Sequence, residues 1–302
     1  MQNVALLGLG TMGAGMAGQL LLTELSLTVW NRTRERAEVF AERGATVAPS
    51  PRAAAATSEI VISMVADDQA SRAVWLGENG ALVGARPGSI LIESSTLSPV
   101  WIRELAAVAA ERKADFLDAP VTGSKQQAAT GELLFMVGGE RAVFERALPI
   151  LKTMSKDVVH LGPTGSGSLM KLINNFVCGV QAAALGEGIA LIEKSGLNLE
   201  QALQILINGA PGSPLVKAVS ARMTARDYAV NFFLDLMRKD LSYALAEAER
   251  WGTTLKMVAA ALGLFEEASK LGFGKLDFSA LIEPLRLDES DSTAKSRSAV
   301  PD

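Results

Sequence analysis

A lysine and an asparagine four positions apart, Lys171 and Asn175, are the residues of this chain best placed to move a proton. The spacing puts both on one face of a helix. That face continues through Cys178, Ala182 and Leu185, which are small or apolar. Burying a lysine and an amide there is costly unless they are paired or employed. A lysine's pKa falls readily on burial, which suits acid–base chemistry. The bland alternative is a lysine whose stem lies on the surface with its ammonium in water. The glycine-rich Gly165-Ser166-Gly167 just before it weakens that alternative. A second candidate is Thr122-Gly123-Ser124, inside the segment Asp118-Ala119-Pro120-Val121-Thr122-Gly123-Ser124-Lys125. Its hydroxyls and successive backbone N–H groups could form a small nest for an anion. An ordinary turn would read the same way.

Near the N-terminus the chain reads Gly8-Leu9-Gly10-Thr11-Met12-Gly13, directly after an apolar run over 4–7. Small and apolar residues follow at helical spacing. Strand, tight turn and helix in that order are the context a dinucleotide fingerprint requires. The first glycine permits the turn, the second lets a pyrophosphate approach the backbone, and the third lets helix and strand pack closely. The helix start adds N–H donors and a positive dipole end. The next apolar run, over 27–30, ends at Asn31-Arg32-Thr33, where such a site reads the ribose. NAD-specific sites place an acid there. Asn31 is neutral and does not repel a 2′-phosphate, Arg32 supplies a guanidinium, Thr33 a hydroxyl, and Arg36 further charge. This favours NADP(H) over NAD(H).

These residues need elements to carry them. Over the first half, strand-like runs at 4–7, 27–30, 60–65, 90–92, 116–117, 133–137 and 158–161 alternate with helical patterns at 13–22, 34–43, 68–75, 99–112 and 140–154. Near-continuous apolar strands between helices imply an α/β domain with a mostly parallel, doubly wound sheet of Rossmann type. After 162–167 the character changes. From 168 to about 194 nothing breaks a helix strongly, so a single long interdomain helix of roughly 25 residues or more is expected. Helical patterns continue at 199–208, 214–224, 234–251, 254–271 and 278–281, making the second half all-α. The expected domains are 1–163 for the dinucleotide and 164–287 for substrate and assembly. Residues 288–302, polar and without apolar period, read as a flexible tail.

Composition bounds the function. The net charge is −4 with no basic stripe, so no nucleic acid is expected. No apolar run approaches the length of a membrane span, and no charged segment followed by an apolar stretch marks secretion. A cytoplasmic protein that binds no membrane is the expectation. The single cysteine, Cys178, rules out an internal disulfide. With only one histidine, His160, there is no Cys/His zinc cluster. His160 and Cys178 read as structural and core residues rather than catalytic ones.

Taken together, Gly8 to Gly13, the D-x-P-x-[ST]-G segment Asp118 to Gly123, the G-x-G-x-x-x-K-x-x-x-N segment Gly165 to Asn175 and the pair Lys239-Asp240 resemble the β-hydroxyacid dehydrogenase family over residues 2–285. Thr122-Gly123-Ser124, with Gly131 and Leu133 downstream, resembles its glyoxylate/succinic semialdehyde reductase branch. The resemblance implies an NADPH-dependent reductase of small carboxylate-bearing aldehydes to hydroxy acids, with Lys171 as acid–base and Asn175 orienting the substrate. It implies that Thr122, Gly123 and Ser124 hold the carboxylate, with Phe232 and Asp240 beside the substrate. It places Met64, Val65, Thr96 and Lys239 on the cofactor, with Gly8 to Gly13 and Asn31 to Thr33. It also implies a homodimer or homotetramer. Alternatives are a 3-hydroxyisobutyrate or tartronate semialdehyde type dehydrogenase, an imine reductase (a class that usually lacks lysine at the position of Lys171), and a cofactor-binding module without turnover.

Overall fold

The computed structural model describes residues 2–287. The tail expected at 288–302 lies outside the described residues. The described chain divides between Ile173 and Asn174 into two compact units, whereas the sequence reading placed the boundary at 163/164.

The first unit is a sheet of nine strands flanked by helices. The strands are β1 (Asn3–Leu7), β2 (Ser26–Trp30), β3 (Thr46–Val47), β4 (Ile60–Ser63), β5 (Ile90–Glu93), β6 (Asp115–Asp118), β7 (Val121–Thr122), β8 (Leu133–Gly139) and β9 (Ser155–Gly162). The helices are α1 (Thr11–Leu20), α2 (Glu35–Ala41), α3 (Pro51–Ala56), α4 (Asp68–Leu76), α5 (Ala81–Gly84), α6 (Pro99–Glu111), α7 (Lys125–Thr130) and α8 (Arg141–Lys152). The order β3-β2-β1-β4-β5-β6 is wholly parallel, which is the doubly wound arrangement expected. β8 then runs antiparallel to β6 and β7, and β9 pairs parallel to β8. Strands β1, β4 and β5 carry Val4, Leu6, Ile60, Ile62, Ile90 and Ile92 into one core layer and Ala5, Leu7, Val61 and Leu91 into the other. Alternate residues serve opposite faces, and both faces are covered, so these strands read as continuous apolar runs.

The short elements β3, α3, α5, β7 and α7 were not visible as periodic patterns. Helix α3 is set by Ser50, whose hydroxyl accepts from the Ala53 N–H at 3.1 Å, and by Pro51 at the first helical position. Strand β4 stops at Ser63, so Met64 and Val65 lie in the loop beyond it rather than in the strand.

The second unit is helical among its described residues. Its elements are α9 (Ser166–Ser195), which begins in the first unit, α10 (Leu199–Asn208), α11 (Pro214–Ala225), α12 (Leu234–Arg250), α13 (Lys256–Lys270), two 3₁₀ turns and α14 (Glu283–Arg286). The segment expected as helix at 278–281 is the 3₁₀ turn Phe278–Ile282. Ile189, Met223, Leu234, Leu241, Phe265 and Leu281 meet in its core. The 30 residues of α9 make it about 45 Å long. By length and composition α9 is apolar enough to cross a membrane, but 44% of its most apolar window is buried inside the protein. Asn174, Asn175 and Gln181 interrupt the run residue by residue while leaving its mean hydropathy high, so the expectation that no segment reached that length is corrected. A buried core helix passes the same test.

Candidate active site

The glycine turn leaves β1 at its carboxyl end. The Gly8 N–H donates to the Trp30 carbonyl at 2.8 Å, and the Leu9 N–H donates to Asn31 Oδ1 at 2.8 Å. Asn31 Nδ2 in turn donates to the Thr33 carbonyl at 2.8 Å. Asn31 therefore ties the turn to the end of β2, and Arg32 and Thr33 are the exposed residues of that trio. A Cβ on Gly8 would sit 2.2 Å from the Met64 carbonyl oxygen, and one on Gly13 would sit 2.0 Å from the Gly8 carbonyl oxygen. Neither position admits a side chain. At Gly10 a Cβ would meet nothing within 4 Å, and Gly10 opens α1 with no side-chain cap. The open face of the turn thus lies beside helix N–H groups not capped by a side chain, which fits a pyrophosphate. Thr11 is exposed and Met12 partly exposed at the start of the helix.

Met64 and Val65 adjoin this turn, and a buried carboxyl braces their loop. Glu93 ends β5 fully out of water. It accepts from Ser71 Oγ at 2.6 Å, Trp75 Nε1 at 2.8 Å, the Ser95 N–H at 2.9 Å and Ser95 Oγ at 2.5 Å. Ser95 Oγ accepts from the Val65 N–H at 2.7 Å. Burial pushes the Glu93 carboxyl above its ordinary range, against the pull of these donors. The network joins the loop after β4 to the loop after β5, which holds Thr96.

Thr122 ends the short β7, Gly123 follows at φ 136°, and Ser124 caps α7. The Ser124 N–H donates to Gln127 Oε1 at 2.5 Å, a capping-box bond. That donor is therefore spent within the chain, and the nest read from sequence is smaller than three successive N–H groups. Helix α7 packs on α1, with Gln19 Nε2 donating to the Ala129 carbonyl. The turn and the glycine loop are positioned together through those two helices.

Lys171 lies in the second turn of α9 with only 9% of its surface exposed. Asn175, one turn on and 5% exposed, belongs to a cluster within the second unit. Its Nδ2 donates to Asp240 Oδ2 at 2.6 Å, and its Oδ1 accepts from Asn174 Nδ2 at 3.0 Å. Asp240 is 1% exposed and pairs through Oδ1 with Lys239 Nζ at 2.7 Å. The Lys239 ammonium also lies 4.7 Å from the centre of the Tyr243 ring. Phe232, partly buried, packs edge-on against Phe278 with ring centres 6.1 Å apart. Asp277 holds its loop, accepting from the Asn231 and Phe232 N–H groups at 2.9 and 3.2 Å.

Of the expected site residues, the structure brings Gly8 to Gly13, Asn31, Met64 and Val65 together in the first unit, and Asn175, Lys239 and Asp240 together in the second. Glu93, Asp118, Gln127 and Asp277 escaped the sequence reading as site-shaping residues. Gln127 is legible as the last residue of a Ser-x-x-Gln capping box, whereas Glu93, Asp118 and Asp277 reach partners far along the chain that no local pattern shows. His160 Nε2 lies 2.8 Å from the Gly139 carbonyl, and its ring packs 4.9 Å from Phe144. Cys178 packs partly buried on the helical core.

Two family models match. Residues 3–162 match the NAD binding domain of 6-phosphogluconate dehydrogenase, and residues 165–285 match the NAD-binding domain of NADP-dependent 3-hydroxyisobutyrate dehydrogenase. This chain belongs to the β-hydroxyacid dehydrogenase family. Glyoxylate/succinic semialdehyde reductase 2, chloroplastic, of Arabidopsis thaliana is 34% identical, the match covering 98% of this chain and 81% of the relative. The NAD-dependent L-serine dehydrogenase of Pseudomonas aeruginosa is 33% identical over 93% of this chain and 97% of that one. The crystal structure of 3-hydroxyisobutyrate dehydrogenase from Salmonella typhimurium superposes with a TM-score of 0.86 at 30% identity, covering 94% of this chain and 100% of that chain. A β-hydroxyacid dehydrogenase is an oxidoreductase acting on CH–OH groups, and this chain carries the NAD(P)-binding domains of that family.

Proposed function

We propose that the chain is an NADPH-dependent reductase of small aldehyde acids, glyoxylate and succinic semialdehyde among them, with Lys171 as proton donor. The observation that carries this reading is the placement of Lys171, nine-tenths buried and one turn before an asparagine anchored on a buried aspartate. The cofactor supplies the hydride. Gly8 to Gly13 would hold its pyrophosphate, and Arg32 and Thr33 would contact a 2′-phosphate. Met64, Val65, Thr96 and Lys239 would line the remainder.

The Thr122 and Ser124 hydroxyls and the Gly123 amide would bind the substrate carboxylate. As the carbonyl oxygen gains negative charge, Lys171 gives it a proton, and the lysine's own charge stabilises that oxygen before the transfer is complete. Asn175 is immobilised by Asp240 and Asn174, so it can orient the oxygen without reorganising. Phe232 would border the substrate's carbon chain.

Turnover of glyoxylate, succinic semialdehyde and tartronate semialdehyde with NADPH and with NADH tests the reading, together with 3-hydroxyisobutyrate and L-serine in the oxidising direction. The reading requires kcat/KM for an aldehyde acid with NADPH to exceed every other combination by about tenfold, near 1.4 kcal/mol. NADH serving equally well, or a hydroxy acid oxidised faster, would replace it with a relative's activity.

We also propose that the chain assembles with a second copy of itself. Val177 and Leu191 on α9 are 55% and 70% exposed, and Ile205 on α10 is 72% exposed. Val177, Ala184 and Leu191 recur every seven residues, which is a seam for a partner helix.

A further inference from the structure

Helix α9 starts without a cap of its own. The Gly165 carbonyl accepts the first helical bond, from the Leu169 N–H at 2.9 Å, so Gly165 is the residue whose side chain would normally cap the helix. A glycine has no acceptor to offer. The acceptor comes instead from β6, forty-seven residues earlier in the chain. Asp118 Oδ1 accepts from the Gly165 N–H at 2.8 Å, and Oδ2 accepts from the Ser168 N–H at 2.7 Å. One carboxylate thus holds both ends of the first turn, and it lies fully out of water at the positive end of the helix.

The backbone around this clamp is closed to any other side chain. A Cβ on Gly167 would lie 2.2 Å from the Met136 carbonyl oxygen and 2.7 Å from the Asp118 carbonyl oxygen. A Cβ on Gly138 would lie 2.5 Å from Asp118 Oδ1 and 2.9 Å from the Gly167 N atom. The start of α9 is therefore seated directly on the backbone of β6 and β8. Lys171 follows Ser168 by three residues, so its Cα is set by the seat and by nothing more flexible than one helical turn.

From this geometry we infer that Asp118 is a positioning residue for the reaction, acting through α9 to place the Lys171 ammonium and not by touching substrate. The aspartate of the D-x-P-x-[ST]-G segment and the glycines of the G-x-G-x-x-x-K segment are then two halves of one device. The inference rests on the reading of Lys171 as proton donor.

The test uses the full chain with Asp118→Asn and, separately, Gly167→Ala. Asparagine keeps the shape of the site but turns an N–H₂ toward one of the two amides. Alanine keeps the carboxylate but lifts the helix off its seat. Each variant is assayed with succinic semialdehyde and NADPH, and amide exchange is followed over 165–172. Both variants should lower kcat by about tenfold or more while KM for succinic semialdehyde and Kd for NADPH stay within about twofold. Exchange at the Gly165 and Ser168 amides should rise by about tenfold in Asp118→Asn. Unchanged kcat despite faster exchange overturns the positioning role. A rise in KM with kcat intact overturns it in favour of direct substrate binding. Unchanged exchange overturns the clamp itself. Should Asp118→Asn fail to fold, Gly167→Ala decides by the same split. A wild-type enzyme inactive on every aldehyde acid would refute the proposed reaction alone, because the exchange measurement still decides whether Asp118 holds the helix.

Discussion

Lys171 is surrounded by protein rather than water, and that makes its contribution separable from cofactor binding. Lys171→Ala should lower kcat by about 10²-fold or more, with Kd for NADPH within about twofold. Single-turnover rates and fluorescence titration of the cofactor check it. Turnover close to wild type would remove the lysine from the chemistry. Arg32, exposed at the end of β2, makes a different prediction. Arg32→Ala should weaken NADPH about tenfold or more and NADH hardly at all, because only the former carries the phosphate. Equal losses would count against the phosphate contact. Asp118 links the site to pH. Burial pushes its carboxyl up to about 6, against the pull of the Gly165 and Ser168 N–H groups. An unfolded aspartate titrates near ~3.9. Between about pH 4 and 6 the folded protein keeps a proton that the unfolded chain has released, so this residue's contribution to stability falls as pH rises and is level above 6. The difference in Tm between wild type and Asp118→Asn, measured from pH 4 to 7, should therefore change across that window and be flat beyond it.

Elements hold the site through polar side chains buried beneath its loops. Strand β5 ends in Glu93, whose four donors come from α4 and from the loop after β5. Glu93→Ala would strand the Ser71 hydroxyl and the Trp75 indole N–H and open a cavity. A loss of about 3 kcal/mol or more is expected from unsatisfied buried donors and lost packing. Denaturant unfolding measures it. NADPH affinity should fall as well, since Ser95 would no longer hold the Val65 N–H in place. A variant as stable as wild type would show that the network is not a brace. In the second unit, Asp277 performs a comparable task for the loop carrying Phe232.

For the whole molecule, the exposed apolar residues of α9 and α10 belong to the proposed assembly. Light scattering should give at least twice the monomer mass of 31.8 kDa. Leu191→Glu together with Ile205→Glu should return the protein to that mass, because two buried carboxylates without partners cost more than the apolar contact supplies. A wild-type protein already at the monomer mass would refute the assembly.

The dinucleotide turn, the parallel strands and the long helix were legible in the sequence because each is a local pattern. Glycines cluster where backbone must pass close to backbone, strands covered on both faces read as unbroken apolar runs, and a helix carries its own period. The family resemblance rested on the same local segments. The short elements β3, α3, α5 and β7 were not legible, being too brief to show a period. What only the tertiary structure decided is which side chain serves which motif. Asn31 reads along the chain as a cofactor contact, and only the fold shows that its amide also holds the glycine turn. Asp118 and Gly165 look unrelated along the chain, yet the carboxylate of one caps the helix that the other opens. Hydrogen bonds between residues distant in sequence leave no periodicity behind, so composition and spacing identify the parts while folding decides which parts touch.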